Sequence, residues 1–266
     1  MTVIYSGVTH KGNVRAVNED AIGWSEPDGL AFVADGVGGH VGGQLASTLT
    51  KRVLLDTADQ RDVEMALAAA HTAIVNEGKI KPELQGMGTT IVLLSQRENK
   101  AKIWWVGDSR AYLWRNKKLE QLTVDHSYVE ILREKFKLND EQIKHHPQRH
   151  LVTQTLGLDE PEPECLELDL KGNDCFLLCS DGLSDDVSLE QLQQIFREHS
   201  ADMHRVNGYL LEAALAAGGR DNISAVLVKI DGKKSPNTDN EKSPVISWLY
   251  IALVVAVLGV AFLTFT

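Results

Sequence analysis

The residues of this chain that could do chemistry are aspartates at the ends of apolar runs. Leu30 to Ala34 leads straight into Asp35, and Gly36, Gly38 and Gly39 follow at once. A short apolar run bounded by glycines suits a strand buried on both faces. A carboxylate at its end is desolvated, and a desolvated carboxylate is normally paired or bound to a metal. The pattern recurs: Leu177-Leu178-Cys179-Ser180 leads to Asp181-Gly182, Trp104-Trp105-Val106-Gly107 to Asp108, and Asp221 stands just before the run Ile223 to Val228. Each aspartate taken singly also suits a turn or a helix cap. Gathered at one sheet edge, they make an oxygen-only ligand set for hard cations such as Mg²⁺ or Mn²⁺ rather than zinc. Two such cations acidify a water and clamp the oxygens of an in-line phosphoryl displacement, so the expected activity is metal-dependent phosphoester hydrolysis.

A second group lies upstream, in Asn13 to Asp20. Glu19 and Asp20 are adjacent carboxylates, and Arg15 precedes them. The stretch suits a solvated polar loop; it also suits an arginine gripping an anion beside carboxylates that orient metal-bound waters, because the planar guanidinium fork holds phosphate bidentately. No Gly-x-x-x-x-Gly-Lys-[Ser/Thr] loop is present, which disfavours a P-loop nucleotide hydrolase. There is no Gly-x-Ser-x-Gly elbow either. With 37 acidic against 27 basic residues and a formal net charge of −10, the chain is a poor nucleic-acid binder. Cys165, Cys175 and Cys179 form no Cys-x-x-Cys pair and read as free thiols, mostly buried, in a reducing compartment.

The elements that must position these groups follow from periodicity. Val3 to Thr9 suits a first strand and Leu30 to Ala34 another. Apolar spacing predicts helices over Gly43 to Thr57 and Asp62 to Glu77. Short strands are expected at Ile91 to Ser95, Ala101 to Val106 and Ala111 to Arg115, in an antiparallel sheet. A helical segment is expected to begin at Leu122 to Ser127 and run through Phe136. Lys137 to Gln154, polar and carrying His145, His146 and His150, reads as a surface flap in preference to a zinc site. Strands at Glu167 to Leu170 and Cys175 to Ser180, helices through Leu189 to Phe196 and Val206 to Ala217, and a last strand at Ile223 to Ile230 complete the pattern. Segregated groups of strands and helices predict an α+β fold, two sheets packed together with helices outside.

Three regions are expected: a catalytic domain over residues 1–230, a polar linker over 231–244 and a transmembrane helix over 245–266. The last stretch carries no charged residue, with Trp248 and Tyr250 near one edge. It is long enough for a hydrocarbon core, which needs ~20 apolar residues. Lys233, Lys234 and Lys242 precede it, so the catalytic domain is expected on the cytoplasmic side of a single-pass membrane anchor. Met1 to Lys11 lacks the pattern of a signal peptide.

In chain order the motifs are Arg15…Asn18-Glu19-Asp20, Asp35-Gly36-Val37-Gly38-Gly39-His40, Gly88-Thr89-Thr90, Gly107-Asp108-Ser109-Arg110, Leu122-Thr123-Val124-Asp125-His126-Ser127, Ser180-Asp181-Gly182-Leu183 and Gly219-Arg220-Asp221-Asn222. Together, over roughly residues 5–230, they resemble the bacterial branch of the protein phosphatase 2C family of metal-dependent serine/threonine phosphatases. The resemblance implies an α-β-β-α sandwich of two antiparallel sheets flanked by helix pairs, and two Mn²⁺ or Mg²⁺ ions. It implies that Asp35 bridges the metals, that the Gly36 carbonyl, Asp181 and Asp221 ligate directly, and that Glu19 and Asp20 act mainly through metal-bound water. Arg15 matches the clamp on the substrate phosphate. Asp108, Asp181 and Asp185 match a third, weaker metal site. Phosphorylated Ser/Thr proteins are the implied substrates, a cognate Ser/Thr kinase or its substrates the implied partners, and the catalytic domain is expected to be monomeric. One departure stands out. Animal members place a His directly after the Asp-Gly pair, where this chain has Val37, and that proton-donating role is not carried over to His40. Two other readings compete: a non-catalytic, membrane-tethered phosphoprotein-binding module, and a hydrolase of small phosphoesters.

Overall fold

Alternation along the strands sorts the side chains into layers, because successive residues of a strand point to opposite faces. In β3 (Leu30–Ala34), Leu30, Phe32 and Ala34 join one buried cluster, while Ala31 and Val33 join another. In β11 (Cys175–Cys179), Cys175, Leu177 and Cys179 face one way and Phe176 and Leu178 the other. A strand with both faces covered needs apolar residues at every position, which explains why these segments read as unbroken apolar runs.

The computed structural model describes residues 2–38, 40–58, 62–139, 142–143, 146–148, 150–158 and 160–232. The remaining strands are β1 (Thr2–His10), β2 (Ala21–Ser25), β4 (Gly36–Val37), β5 (Gly88–Thr89), β6 (Ile91–Arg97), β7 (Lys100–Val106), β8 (Arg110–Arg115), β9 (Lys118–Gln121), β10 (Glu164–Asp169) and β12 (Ile223–Asp231). One five-stranded sheet has the order β1-β12-β11-β8-β9, a second the order β10-β7-β6-β3-β2, and every pairing is antiparallel. Helices α1 (His40–Asp56) and α2 (Val63–Ile80) cover the outer face of the second sheet through Leu49, Leu54, Leu67 and Ile74. Beyond α3 (Tyr128–Phe136) and the single turn α4 (Asp181–Ser184), helices α5 (Leu189–His199) and α6 (Met203–Ala216) cover the first sheet through Leu192, Phe196, Val206 and Leu210. Between the sheets lie Val33, Val92, Ile103, Phe176, Val226 and their neighbours. The expected four-layer α+β sandwich is the observed one.

Helix starts follow the capping rules. Asp62 accepts from the Met65 amide at 3.1 Å to open α2, and Ser188 with Gln191 forms a capping box at α5. Several expected boundaries need correction. Leu122 to Ser127 is not helical; its polar groups are committed elsewhere, the His126 amide to the Gly107 carbonyl at 2.9 Å and the Val124 carbonyl to the Trp105 indole at 2.8 Å, so α3 starts only at Tyr128. Strand β10 begins earlier than Glu167 and is mostly exposed, as an edge strand can be. Strands β2 and β9 had no counterpart in the periodicity. Gly23 breaks the β2 pattern for a packing reason: a Cβ there would lie 2.5 Å from the Phe32 ring. Among the described residues no helix is long and apolar enough to cross a membrane, and the expected linker and transmembrane helix, from residue 233 on, lie outside them.

Candidate metal centre

Strand register alone carries the carboxylates to one edge of the sandwich. Ala21 pairs with Ala34, so Asp20, just before β2, meets Asp35, just after β3. Ile91 pairs with Val106, which brings Thr90 and the Gly107–Ser109 turn to the same edge. Cys179 pairs with both Arg110 and Ala225, so Asp181 follows β11 where Asp108 precedes β8 and Asp221 precedes β12. Separations of up to two hundred residues close because each aspartate sits one or two positions outside a paired strand.

Local structure then fixes each group. The Asp35 carbonyl accepts from the Thr90 amide and the Thr89 hydroxyl, both at 2.8 Å, and Thr90 Oγ1 lies 2.7 Å from Ser109 Oγ. Gly36 must be glycine: a Cβ there would lie 2.2 Å from the Gly43 carbonyl oxygen and 2.7 Å from that of Glu19. Asn222 ties down the loop that carries Arg15, Glu19 and Asp20. Its Oδ1 accepts from the Glu19 amide at 2.7 Å, and its Nδ2 donates to the carbonyls of Lys11 and Val17 at 3.0 and 2.9 Å. Ser180 donates to Asp20 Oδ2 at 2.8 Å. The Asp185 amide donates to the Asp181 carbonyl at 2.8 Å, so the two carboxylates stand one helical turn apart on one face.

The result is an open cleft of about 600 Å³ lined by Arg15, Glu19, Asp35, Gly36, Asp108, Asp181, Asp185 and Asp221, with His150, Val152, Asp186 and Arg220 also on its wall. Asp20 is not on the wall; it lies behind, half-buried. Every carboxylate expected at the site except Asp20 therefore lines the cleft, and Asp20 adjoins it through Ser180. Desolvation sets the electrostatics. Burial pushes Asp35 and Asp181 well above the usual carboxylate range, and neighbouring carboxylates (Asp20 foremost for Asp35, Asp108 for Asp181) push the same way. Burial raises Asp20 to about 6, against the hydroxyls of Ser224 and Ser180, and raises Asp108 to about 7, with Asp125 and Asp185 adding to it. Arg15 forms an ion pair with Asp221 at 2.6 Å. Arg110 grips both oxygens of Asp125, at 2.6 to 3.0 Å, and comes within 3.9 Å of Asp185.

Does a divalent cation fit this site? Asp20 Oδ1 and Asp181 Oδ1 are buried with no hydrogen-bond partner among the described residues. An acceptor stripped of water and left without a donor costs about 1–3 kcal/mol, more for a charged group. A cation among these oxygens removes that cost and the mutual repulsion together, and an all-oxygen set suits Mn²⁺ or Mg²⁺. The residues fit.

Sequence reasoning did not place three contributors. His150 was read only as part of a surface flap, yet its imidazole faces the cleft, 3.0 Å from Asp185. Asp186, paired with Arg220, and the Arg110–Asp125 fork were not assigned roles. Nothing in local sequence marks these pairs, since each is made across a chain reversal.

The arrangement has close counterparts. The serine/threonine protein phosphatase PstP of Mycobacterium tuberculosis (strain H37Rv) is 34% identical over 235 residues, 85% of this chain and 45% of PstP, so the chain spans less than half the length of that relative. The serine/threonine phosphatase stp of Listeria monocytogenes serotype 4b is 32% identical over 238 residues, covering 84% of this chain and 94% of the relative. The crystal structure of the PstP catalytic domain with two manganese ions superposes with a TM-score of 0.78 at 32% identity, over 86% of this chain and 99% of that one. The family model for protein phosphatase 2C matches residues 7–217, a span that takes in the whole second sheet, the first sheet apart from β12 and the start of β1, and every carboxylate of the cleft except Asp221, and the chain belongs to that family.

Proposed function

We propose that the chain is a metal-dependent protein serine/threonine phosphatase, with Asp35, Asp181 and Asp221 and the Gly36 carbonyl as its metal ligands. The observation that carries this reading is the gathering of Asp35, Asp181, Asp108 and Asp20 at one sheet edge, in charge states too costly to hold without cations. When bound, two cations supply an acidified water for in-line attack on phosphorus and offset the charge of the departing oxygen. The chain's own residues do the rest. Asp35 feels the charges of Asp20, Asp181 and Asp108 together, as expected of a carboxylate that two ions would share. Glu19 on the cleft wall and Asp20 behind it would act as acceptors that orient water. Asp108 and Asp185 extend the set toward a third, weaker site.

Arg15, at the exposed rim, is joined directly to the proposed ligand Asp221. With Asp221 holding a cation, the Arg15 fork would be available to two oxygens of a substrate phosphate. Val37 leaves no imidazole directly after the Asp-Gly pair, so no side chain there protonates the leaving group. Residues 245–266 support a single membrane anchor, with the phosphatase region on the cytoplasmic side and phosphorylated Ser/Thr proteins as substrates; fractionation of a chain truncated after residue 232 tests the anchor.

With Mn²⁺ the chain is expected to hydrolyse a phosphothreonine peptide in preference to nucleotides, and a chelator is expected to stop turnover. Full activity after chelation would remove the proposal. Arg15→Lys keeps the charge and loses the fork. Charge-assisted hydrogen bonds contribute about 1.5–3 kcal/mol, so kcat/KM should fall roughly ten- to a hundredfold, chiefly through KM. If Arg15 merely props Asp221, kcat/KM at saturating Mn²⁺ will be unchanged and the Mn²⁺ requirement will shift instead.

A further inference from the structure

The imidazole of His150 reaches the cleft from the segment that follows α3. The backbone that follows it is fastened: the Leu151 carbonyl accepts from the Tyr128 amide at 2.8 Å, the Thr153 amide donates to the His126 carbonyl at 2.8 Å, and Val152 bridges to Ser127. His150 Nδ1 lies 3.0 Å from Asp185 Oδ2, while Arg110 approaches the other oxygen, Oδ1, at 3.9 Å. One ligand atom each from His150, Asp181 and Asp185 lies within 4.8 Å of the others. Two donors about 2.1 Å from one ion and at right angles to each other are themselves about 3 Å apart. The observed separation thus suits neighbouring ligands of a single cation as well as a hydrogen bond. Asp181, whose Oδ1 is buried and without a hydrogen-bond donor among the described residues, is the carboxylate that this cluster shares with the Asp35 centre.

We propose that His150 supplies a nitrogen ligand to a divalent cation held with Asp181 and Asp185, which makes this end of the cleft a mixed nitrogen–oxygen site. The proposal rests on the phosphatase reading and deepens it. The resemblance offers only carboxylates for a third metal, whereas this chain adds an imidazole to that set. Imidazole suits Zn²⁺ and Co²⁺, and an all-oxygen set suits Mg²⁺. The site should therefore rank metals differently from the all-oxygen Asp35 centre, and take up Zn²⁺ or Co²⁺ at concentrations at which Mg²⁺ leaves it open.

The test compares the full chain with His150→Gln and His150→Ala, titrated with Co²⁺, Zn²⁺ and Mg²⁺ by calorimetry and, for Co²⁺, by visible absorption. Gln retains a hydrogen-bond donor toward Asp185 but not the imidazole, and the site's exposure makes both variants safe for folding. The wild type should bind two Co²⁺ ions and then a third, and both substitutions should weaken the third by about tenfold or more. They should also change its absorption, leave the first two ions untouched, and have no effect on Mg²⁺. Equal third-ion affinity in wild type and His150→Gln would overturn the proposal and reduce the contact to an ion pair; so would a wild type that binds only two. Failure to bind any ion would instead remove the phosphatase reading beneath it.

Discussion

Asp35→Asn is expected to make the metal-free protein melt at a higher temperature than metal-free wild type while reducing Mn²⁺-supported phosphopeptide turnover by ~10³-fold or more. The two effects have one cause. Asp35 is held among Asp20, Asp181 and Asp108, and burial together with those neighbours pushes its ionisation far above the usual range. Near pH 7.5 the folded chain must either keep a proton there or confine a charge beside other charges. Asn removes the charge, keeps the shape and donates an N–H toward Asp181, which relieves both. For a domain of this size each kcal/mol gained raises Tm by about 2–4 °C. The lost turnover is the loss of the one carboxylate placed between the others, where the cations must sit. Asn is also as good a turn residue as Asp. If Asp35 served only to shape the turn after β3, turnover would survive and the melting temperature would stay put. Differential scanning calorimetry in chelator and a phosphothreonine-peptide assay in Mn²⁺ read the two halves separately.

What the sequence made legible, and what it hid, follows from the same geometry. Strands β3 and β11, the second half of β7 and most of β12 are covered on both faces, so their apolar runs are nearly continuous and the aspartates at their ends stand out. The sites of Asp35, Asp108, Asp181 and Asp221 could be read from that alone, and their convergence followed from antiparallel pairing. Strand β9 has one buried residue, Leu119, in four, and β2 is broken by Gly23, so neither had a periodic signal. Helix α4 is a single turn. The partners that hold the ligands in place were hidden for another reason. Ser180 meets Asp20 across 160 positions and Asn222 meets the Glu19 amide across 203, contacts that no local pattern encodes. His150 is the sharpest case. The stretch that leads to it is polar in sequence, as a surface flap requires, and its place 3.0 Å from Asp185 depends on long-range contacts of Leu151, Val152 and Thr153 with the segment His126 to Tyr128. Roles rather than positions came from the family resemblance: nothing in spacing distinguishes a bridging carboxylate from one that acts through water.

The metal-free protein is expected to lose stability as pH rises from about 5 to 8, and Mn²⁺ is expected to reverse that trend. The sign follows from which state holds the protons. Asp20 and Asp108 are pushed by burial to about 6 and about 7 in the folded chain, whereas unfolded aspartates titrate near 3.9. Between those values the unfolded chain has released its protons and the folded chain has not. Stability therefore falls with increasing pH until the folded carboxylates ionise, and is flat beyond. At about 1.4 kcal/mol per pH unit, the two groups together weigh on the order of several kcal/mol, an upper figure because water entering the open cleft softens it. Ordinary carboxylates are ionised in both states by about pH 5.5, so among the carboxylates this window belongs to the buried cluster, and the histidines, which also change charge here, are separated from it by the Mn²⁺ dependence. Cations bind the ionised form, so their affinity rises over the same interval in which the metal-free fold weakens. At a hundred times Kd they return about 2.7 kcal/mol per site. The gap in Tm between Mn²⁺-loaded and chelator-treated protein should thus widen steadily from pH 5.5 to 8. A metal-free Tm that rises over this range would mean that Asp20 and Asp108 are already ionised and satisfied without metal, and the case for a centre built on charges that need cations would be lost with it.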